Sequence, residues 1–145
     1  MAAVMALVVS AGISISAQRG TTIQVFKTPT CGCCHLWVKH LEANGFTTKV
    51  TDMDDLSGIK KKYGVPAKAN SCHTAVVDGY TLEGHVPATE VKRLLKEKPA
   101  AVAGLAVPGM PVGSPGMEYG KTVQPYNVMS FDKAGQLKVF ASYGR

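Results

Sequence analysis

The chain has 145 residues, a formal net charge of +6, and 46% hydrophobic against 18% charged residues. That length suits one domain with one modest core, and the composition excludes a disordered chain. The basic excess does not imply nucleic acid: its densest run, Lys60-Lys61-Lys62, reads as the solvated face of a short helix with no aromatic platform beside it.

Residues Ala2 to Ile15 are almost wholly apolar or small, and Ser14-Ile15-Ser16-Ala17 offers the small residues of a signal-peptidase site. Residues 1–17 are therefore expected to be an export signal and 18–145 the mature domain. The stretch is shorter than the roughly 20 residues that span a bilayer, so no stable membrane insertion is expected after cleavage. No Lys or Arg precedes Arg19, so the start reads as internal to a longer signal. Export bears on the four cysteines, because free thiols persist in an oxidising compartment only when paired, buried or metal-bound.

Thr22 to Lys27 alternates and is rich in β-branched residues, which predicts a strand leading into the turn Thr28-Pro29-Thr30. Cys31 follows at once. From Cys33 or Cys34 to Asn44, the apolar positions Leu36, Trp37, Val38 and Leu41 predict a helix that Asn44-Gly45 stops. Phe46 to Val50 predicts a second strand, and Leu56 to Tyr63 a short helix after Asp54-Asp55. Thr74 to Val77 and Tyr80 to Glu83 flank Asp78-Gly79, the signature of a hairpin with a type I′ turn. Pro87 to Lys98 predicts an amphipathic helix with Val91, Leu94 and Leu95 inward. Ala101 to Gly120, rich in Gly, Pro and Met, reads as an ordered loop, and Tyr126 to Phe131 with Gln136 to Ser142 as a final hairpin. Trp37, Met53 and Met129 are assigned to the core, and His40 to the exposed face of its helix.

The order β-α-β-α-β-β-α is that of an α/β thioredoxin-like fold, here with a C-terminal Gly/Pro/Met loop and an extra β-hairpin. Such a fold sets Cys31-Gly32-Cys33-Cys34 at a strand-to-helix turn, where unpaired N–H groups and the helix dipole favour thiolates. Cys72 immediately precedes the third strand, a place that faces the cysteine turn and is commonly a cis-proline. Cys31, Cys33, Cys34 and Cys72 are thus expected to converge. Four thiolates suit zinc, an iron–sulfur cluster or cuprous copper. Adjacent Cys33 and Cys34 crowd a single tetrahedral ion, whereas bridging thiolates of a multinuclear Cu(I) site tolerate the crowding. His35, His73 and His85 add imidazoles, and Met110 and Met117 add thioethers, soft donors that favour Cu(I).

Five stretches in order now resemble the bacterial periplasmic copper-resistance proteins of the CopG type. They are Thr30-Cys31-Gly32-Cys33-Cys34, Tyr63-Gly64-Val65-Pro66, the run from Ser71-Cys72-His73 to Tyr80, Glu83-Gly84-His85-Val86-Pro87, and Gly104 to Glu118 with its Gly-Met-Pro-Val-Gly-Ser-Pro-Gly-Met segment. The resemblance covers nearly the whole mature chain. It implies a thioredoxin-like fold, a periplasmic location, copper at the cysteine site, and a role in copper resistance through Cu(I)/Cu(II) interconversion or transfer to other periplasmic copper-handling proteins. By position, Cys31, Cys33, Cys34 and Cys72 match the family's cysteines and His85 its histidine. A mixed sulfur and imidazole shell permits redox cycling and an all-sulfur shell favours storage; both stay open, as does turnover as a copper oxidoreductase. A different class of function is also open, a thiol–disulfide oxidoreductase with Cys31 as nucleophile and Cys34 as resolving thiol. A structural zinc module leaves the methionines unexplained.

Overall fold

The computed structural model describes residues 20–145, so the expected signal over residues 1–17 lies outside the described residues. Four segments open the chain: β1 (Thr22–Lys27), α1 (Gly32–Ala43), β2 (Thr47–Asp52) and α2 (Ser57–Lys62). A hairpin follows, β3 (Thr74–Val77) and β4 (Tyr80–Glu83), then α3 (Ala88–Glu97), and finally β5 (Gly104–Ala106), β6 (Tyr126–Phe131) and β7 (Leu137–Tyr143). All seven strands join one mixed sheet in the order β2-β1-β3-β4-β5-β6-β7. β1 runs parallel to β2 and β4 parallel to β5, and the other neighbours are antiparallel.

Strand alternation sorts the sheet's two faces. Ile23 and Val25, Ala75 and Val77, Leu82, Leu105 and Val128 share one core with Trp37, Val38 and Leu41 of α1 and Val91 and Leu94 of α3. The alternate positions face α2: Phe26 stacks on Tyr63 with ring centroids 5.8 Å apart, and Thr74 and Glu83 meet Lys60. α1 ends where Asn44-Gly45 was expected to stop it, with Gly45 at φ 90°. The β3–β4 turn has Asp78 at φ 48° and Gly79 at φ 83°, the pair of positive φ values that a type I′ turn requires.

Three expectations need correction. The Gly- and Pro-rich stretch from Ala101 contains β5, which continues the sheet beyond the hairpin and links it to β6. A strand of three residues buried on both faces carries no alternation, and Gly104 at its start reads as a loop signal. Glycine is required there: a Cβ would lie 2.2 Å from the Thr81 carbonyl oxygen and 2.5 Å from the Phe131 ring. Met53 and Met129 are only partly buried. His40 is half-buried, and its Nε2 accepts the Ala88 N–H at 3.0 Å. It thereby caps α3, whose own N-cap residue, Pro87, makes no side-chain cap hydrogen bond. Among the described residues no helix is long and apolar enough to cross a membrane.

Candidate metal centre

β1 delivers the chain to a tight turn in which the Cys31 N–H donates to the Thr28 carbonyl at 3.2 Å. Cys31 is the N-cap residue of α1 and makes no side-chain cap hydrogen bond, so its sulfur is free for other partners. One helical turn places Cys34 over Cys31, and the two form a disulfide. Cys34 is fully buried against the core, whereas Cys31 and Cys33 are partly exposed, with their sulfurs 3.6 Å apart.

Cys72 arrives from the other side, on the segment preceding β3. Three anchors hold that segment. Glu83 accepts the Ser71 N–H at 2.7 Å, Lys60 donates to the Ser71 carbonyl at 3.0 Å, and the Gly84 N–H donates to the His73 carbonyl at 2.9 Å. The peptide bonds of the described residues are all trans, so Cys72 takes its place without a cis bond. The sulfurs of Cys31, Cys33, Cys34 and Cys72 lie within 4.8 Å of one another. Burial, reinforced by Cys33, pushes the Cys72 thiol up to about 11, so it carries its proton near neutral pH until a cation displaces it.

Two imidazoles close on the same sulfur. Cys72 Sγ lies 3.2 Å from His73 Nδ1 and 3.1 Å from His85 Nε2. His85 Nδ1 donates to the Pro115 carbonyl at 2.7 Å, which fixes the tautomer and leaves an Nε2 lone pair towards Cys72. His73 is held by its ring, tilted 36° against that of Trp37 with centroids 4.3 Å apart, while its Nε2 is buried without a hydrogen-bond partner. Trp37 is itself pinned by its indole N–H on the Val86 carbonyl at 2.9 Å.

The Gly/Pro/Met loop roofs this arrangement. A Cβ on Gly116 would lie 2.7 Å from the Cys33 carbonyl oxygen and 2.8 Å from the Trp37 nitrogen, so the loop sits directly on the first turn of α1. Ser71 Oγ donates to the Gly109 carbonyl, tying the loop's other end to the Cys72 segment.

The structure therefore gathers Cys31, Cys33, Cys34, Cys72, His73 and His85. Met117, next to Gly116, is partly buried at the roof and Met110 is 45% exposed, while His35 is exposed on α1 and lies outside the two clusters of candidate ligand atoms. Sequence reasoning missed Glu83 and Lys60, which hold the segment before Cys72. The available signal was a carboxylate closing an otherwise apolar hairpin.

Burial lowers the pKa of His73 well below its usual range, with His85 adding to the effect, and burial also lowers those of His85 and His40. All three stay neutral in the fold at pH values where the unfolded chain, with histidine near 6.5, takes up protons. The unfolded state thus binds more protons, so stability is lost as pH falls below about 6.5. Fully buried His73 alone should contribute a slope approaching about 1.4 kcal/mol per pH unit. Urea unfolding of the metal-free protein from about pH 7 down to about pH 5 measures it. His73→Phe should flatten the slope, and a midpoint independent of pH would mean that His73 is already charged in the fold.

No functionally curated protein matches the chain. A family model described as "Protein of unknown function, DUF411" matches residues 69–117, which contain Cys72, His73, His85 and most of the roof loop. Two solved structures, both described as copper resistance protein CopG, in Form 2 and Form 1, are each 46% identical to this chain with a TM-score of 0.82. They align over 86% and 87% of this chain, and 99% of each solved chain is covered. At that identity over almost the whole length of the solved proteins, and with the cysteine cluster in place, the chain belongs to the CopG family of copper resistance proteins.

Proposed function

We propose that this is an exported, periplasmic copper-binding protein of copper resistance. In this reading Cys31, Cys33, Cys34 and Cys72 hold Cu(I) in a multinuclear thiolate site. The observation that carries it is the approach of four sulfurs to within 4.8 Å of one another, beside two neutral imidazoles. Thiolates stabilise Cu(I), and imidazole accepts either oxidation state, so the mixed shell suits Cu(I)/Cu(II) interconversion or transfer. Residues 18–145 form the mature domain, read as a thioredoxin-like core from β1 to α3 extended by β5, β6 and β7. The sheet order β2-β1-β3-β4 with helices on both faces supports that reading.

Loading all four cysteines requires the Cys31–Cys34 disulfide to be reduced by two electrons, with two protons or the incoming cations satisfying the thiolates. That disulfide also favours a second reading, thiol–disulfide exchange through Cys31 and Cys34. Exchange needs only those two sulfurs and leaves the convergence of Cys33, Cys72, His73 and His85 without a purpose, so copper binding is the better account.

Anaerobic Cu(I) titration of the reduced mature protein, with metal counted by native mass spectrometry, tests the proposal. More than one copper per chain is expected, falling in number with Cys72→Ser. Weak binding, or a Cys72→Ser variant that behaves as the parent, would reject the shared thiolate site and leave exchange as the leading function.

A further inference from the structure

We propose that Lys27 is a positioning residue of the metal centre: its buried ammonium supplies a fixed positive charge that tightens the first Cu(I) held by the thiolates. This role rests on the four-thiolate reading and adds to it a residue that touches no metal.

The surface of the centre is built from uncharged sequence. No Asp, Glu, Lys or Arg occurs in residues 28–38, which form the cysteine turn and the start of α1, in 69–77 around Cys72, or in 99–117, which include the roof loop. A charge that acts on the sulfurs therefore reaches in from outside those segments, and Lys27 stands at the edge of the first of them. It ends β1, and its Nζ donates to the Thr28 carbonyl at 3.2 Å, the same oxygen that accepts the Cys31 N–H. One carbonyl oxygen thus separates the ammonium from the residue that caps α1.

A glutamine could make that hydrogen bond, so the turn by itself does not account for a cation at position 27. Burying a charge is costly unless it is paired. Asp52 is the partner, directly opposite Lys27 on β2 with its carboxylate 2.8 Å away, but the two differ in exposure: the lysine side chain is 7% exposed and the aspartate side chain 51%. Water screens the carboxylate far more than the ammonium, which leaves a net positive potential on the protein side of the pair. Lys60, the other cation beside the centre, is instead balanced by the fully buried Glu83. The field of both lysines reaches the centre: burial and His85 lower the His73 pKa, and Lys60 and Lys27 lower it further.

Copper loading gives that field a charge to act on. Two neutral thiols that bind one Cu(I) release two protons to solvent and become two thiolates, so the site passes from neutral to one net negative charge. A fixed cation stabilises this loaded state and leaves the neutral empty one unaffected. The effect is largest for the first ion, because each further Cu(I) brings its own positive charge.

Full-length protein, fully reduced and anaerobic, is loaded with up to one Cu(I) per chain, and its affinity is read by competition with bathocuproine disulfonate at neutral pH. Lys27→Gln, which keeps a donor for the Thr28 carbonyl, should bind Cu(I) about tenfold more weakly, and Lys27→Arg should restore the affinity to within about threefold of the parent. Asp52→Asn separates charge from scaffolding, because the two roles predict opposite signs. Unmasking the ammonium should tighten Cu(I) binding severalfold while the metal-free protein loses stability to urea, its buried cation having lost its partner. Parent-like affinity in Lys27→Gln, equal weakening in Lys27→Gln and a folded Lys27→Arg, or unchanged or weaker binding in Asp52→Asn overturns the role of Lys27 and leaves the four-thiolate reading standing. Absence of Cu(I) binding in the parent overturns both.

Discussion

Replacing Lys60 by Met should destabilise the protein by about 3–5 kcal/mol, although Lys60 belongs to a helix with no fully buried residue. Its ammonium meets Glu83 at 2.5 Å, and Glu83 is completely buried. Glu83 also accepts hydrogen bonds from the Ser71 N–H and from Thr74 Oγ1 at 2.6 Å. Burial raises the Glu83 pKa, and Lys60 and Thr74 pull it back. Removing the ammonium strands a carboxylate in the core, where the loss of its partner outweighs the two hydrogen bonds that remain. The deficit should narrow as pH falls towards the carboxylate range, because a group whose folded pKa is raised regains stability on protonation. Lys60→Met/Glu83→Gln, which removes both charges, should recover most of the loss. Urea midpoints for the two variants at pH 7 and about pH 5 decide the matter. Equal stability of Lys60→Met and the parent would show the pair to be solvated. Because Lys60 and Glu83 hold both backbone polar groups of Ser71, Lys60→Met should also loosen Cys72 and lower its copper stoichiometry.

Gly116→Ala should cost about 3 kcal/mol and lift the roof from the metal centre. Gly116 has φ 87°, a region that costs an L-residue about 1–2 kcal/mol, and its Cβ would press on backbone atoms of Cys33 and Trp37 that cannot rotate away. The chain must then retreat at Pro115, whose carbonyl orients His85. His85 loses its fixed tautomer, so copper spectra should change even where unfolding is limited. Gly32→Ala is the control: a Cβ there meets nothing within 4 Å, and the residue lies in α1, where alanine is favoured. Thermal unfolding of both variants, followed by copper titration at a temperature where both are folded, separates the roof's effect from helix propensity. Parent-like behaviour of Gly116→Ala would mean that the loop docks without needing glycine.

Much of this was legible along the chain because local periodicity and turn chemistry act over a few residues. The β1 strand, the cysteine turn, the Asp78-Gly79 hairpin and α3 carry their own signals, and the structure places each within a residue or two of its expected bounds. β5 lacked such a signal, being three residues long with glycine at its start. His40 was read as a surface residue because a lone polar position on a helix looks the same in sequence whether it faces water or caps a helix 48 positions away.

By itself, then, the sequence determined that four cysteines and several soft donors are set around one strand-to-helix turn of an α/β domain, since motif spacing and strand alternation are properties of neighbouring residues. Only the tertiary structure decided which donors meet. The pairing of Thr74 with Glu83 across the hairpin brings His73 and His85 to one sulfur, while helical geometry leaves His35 facing outward. Sheet register and helix phase set those distances, and both depend on how distant segments bury their apolar faces together.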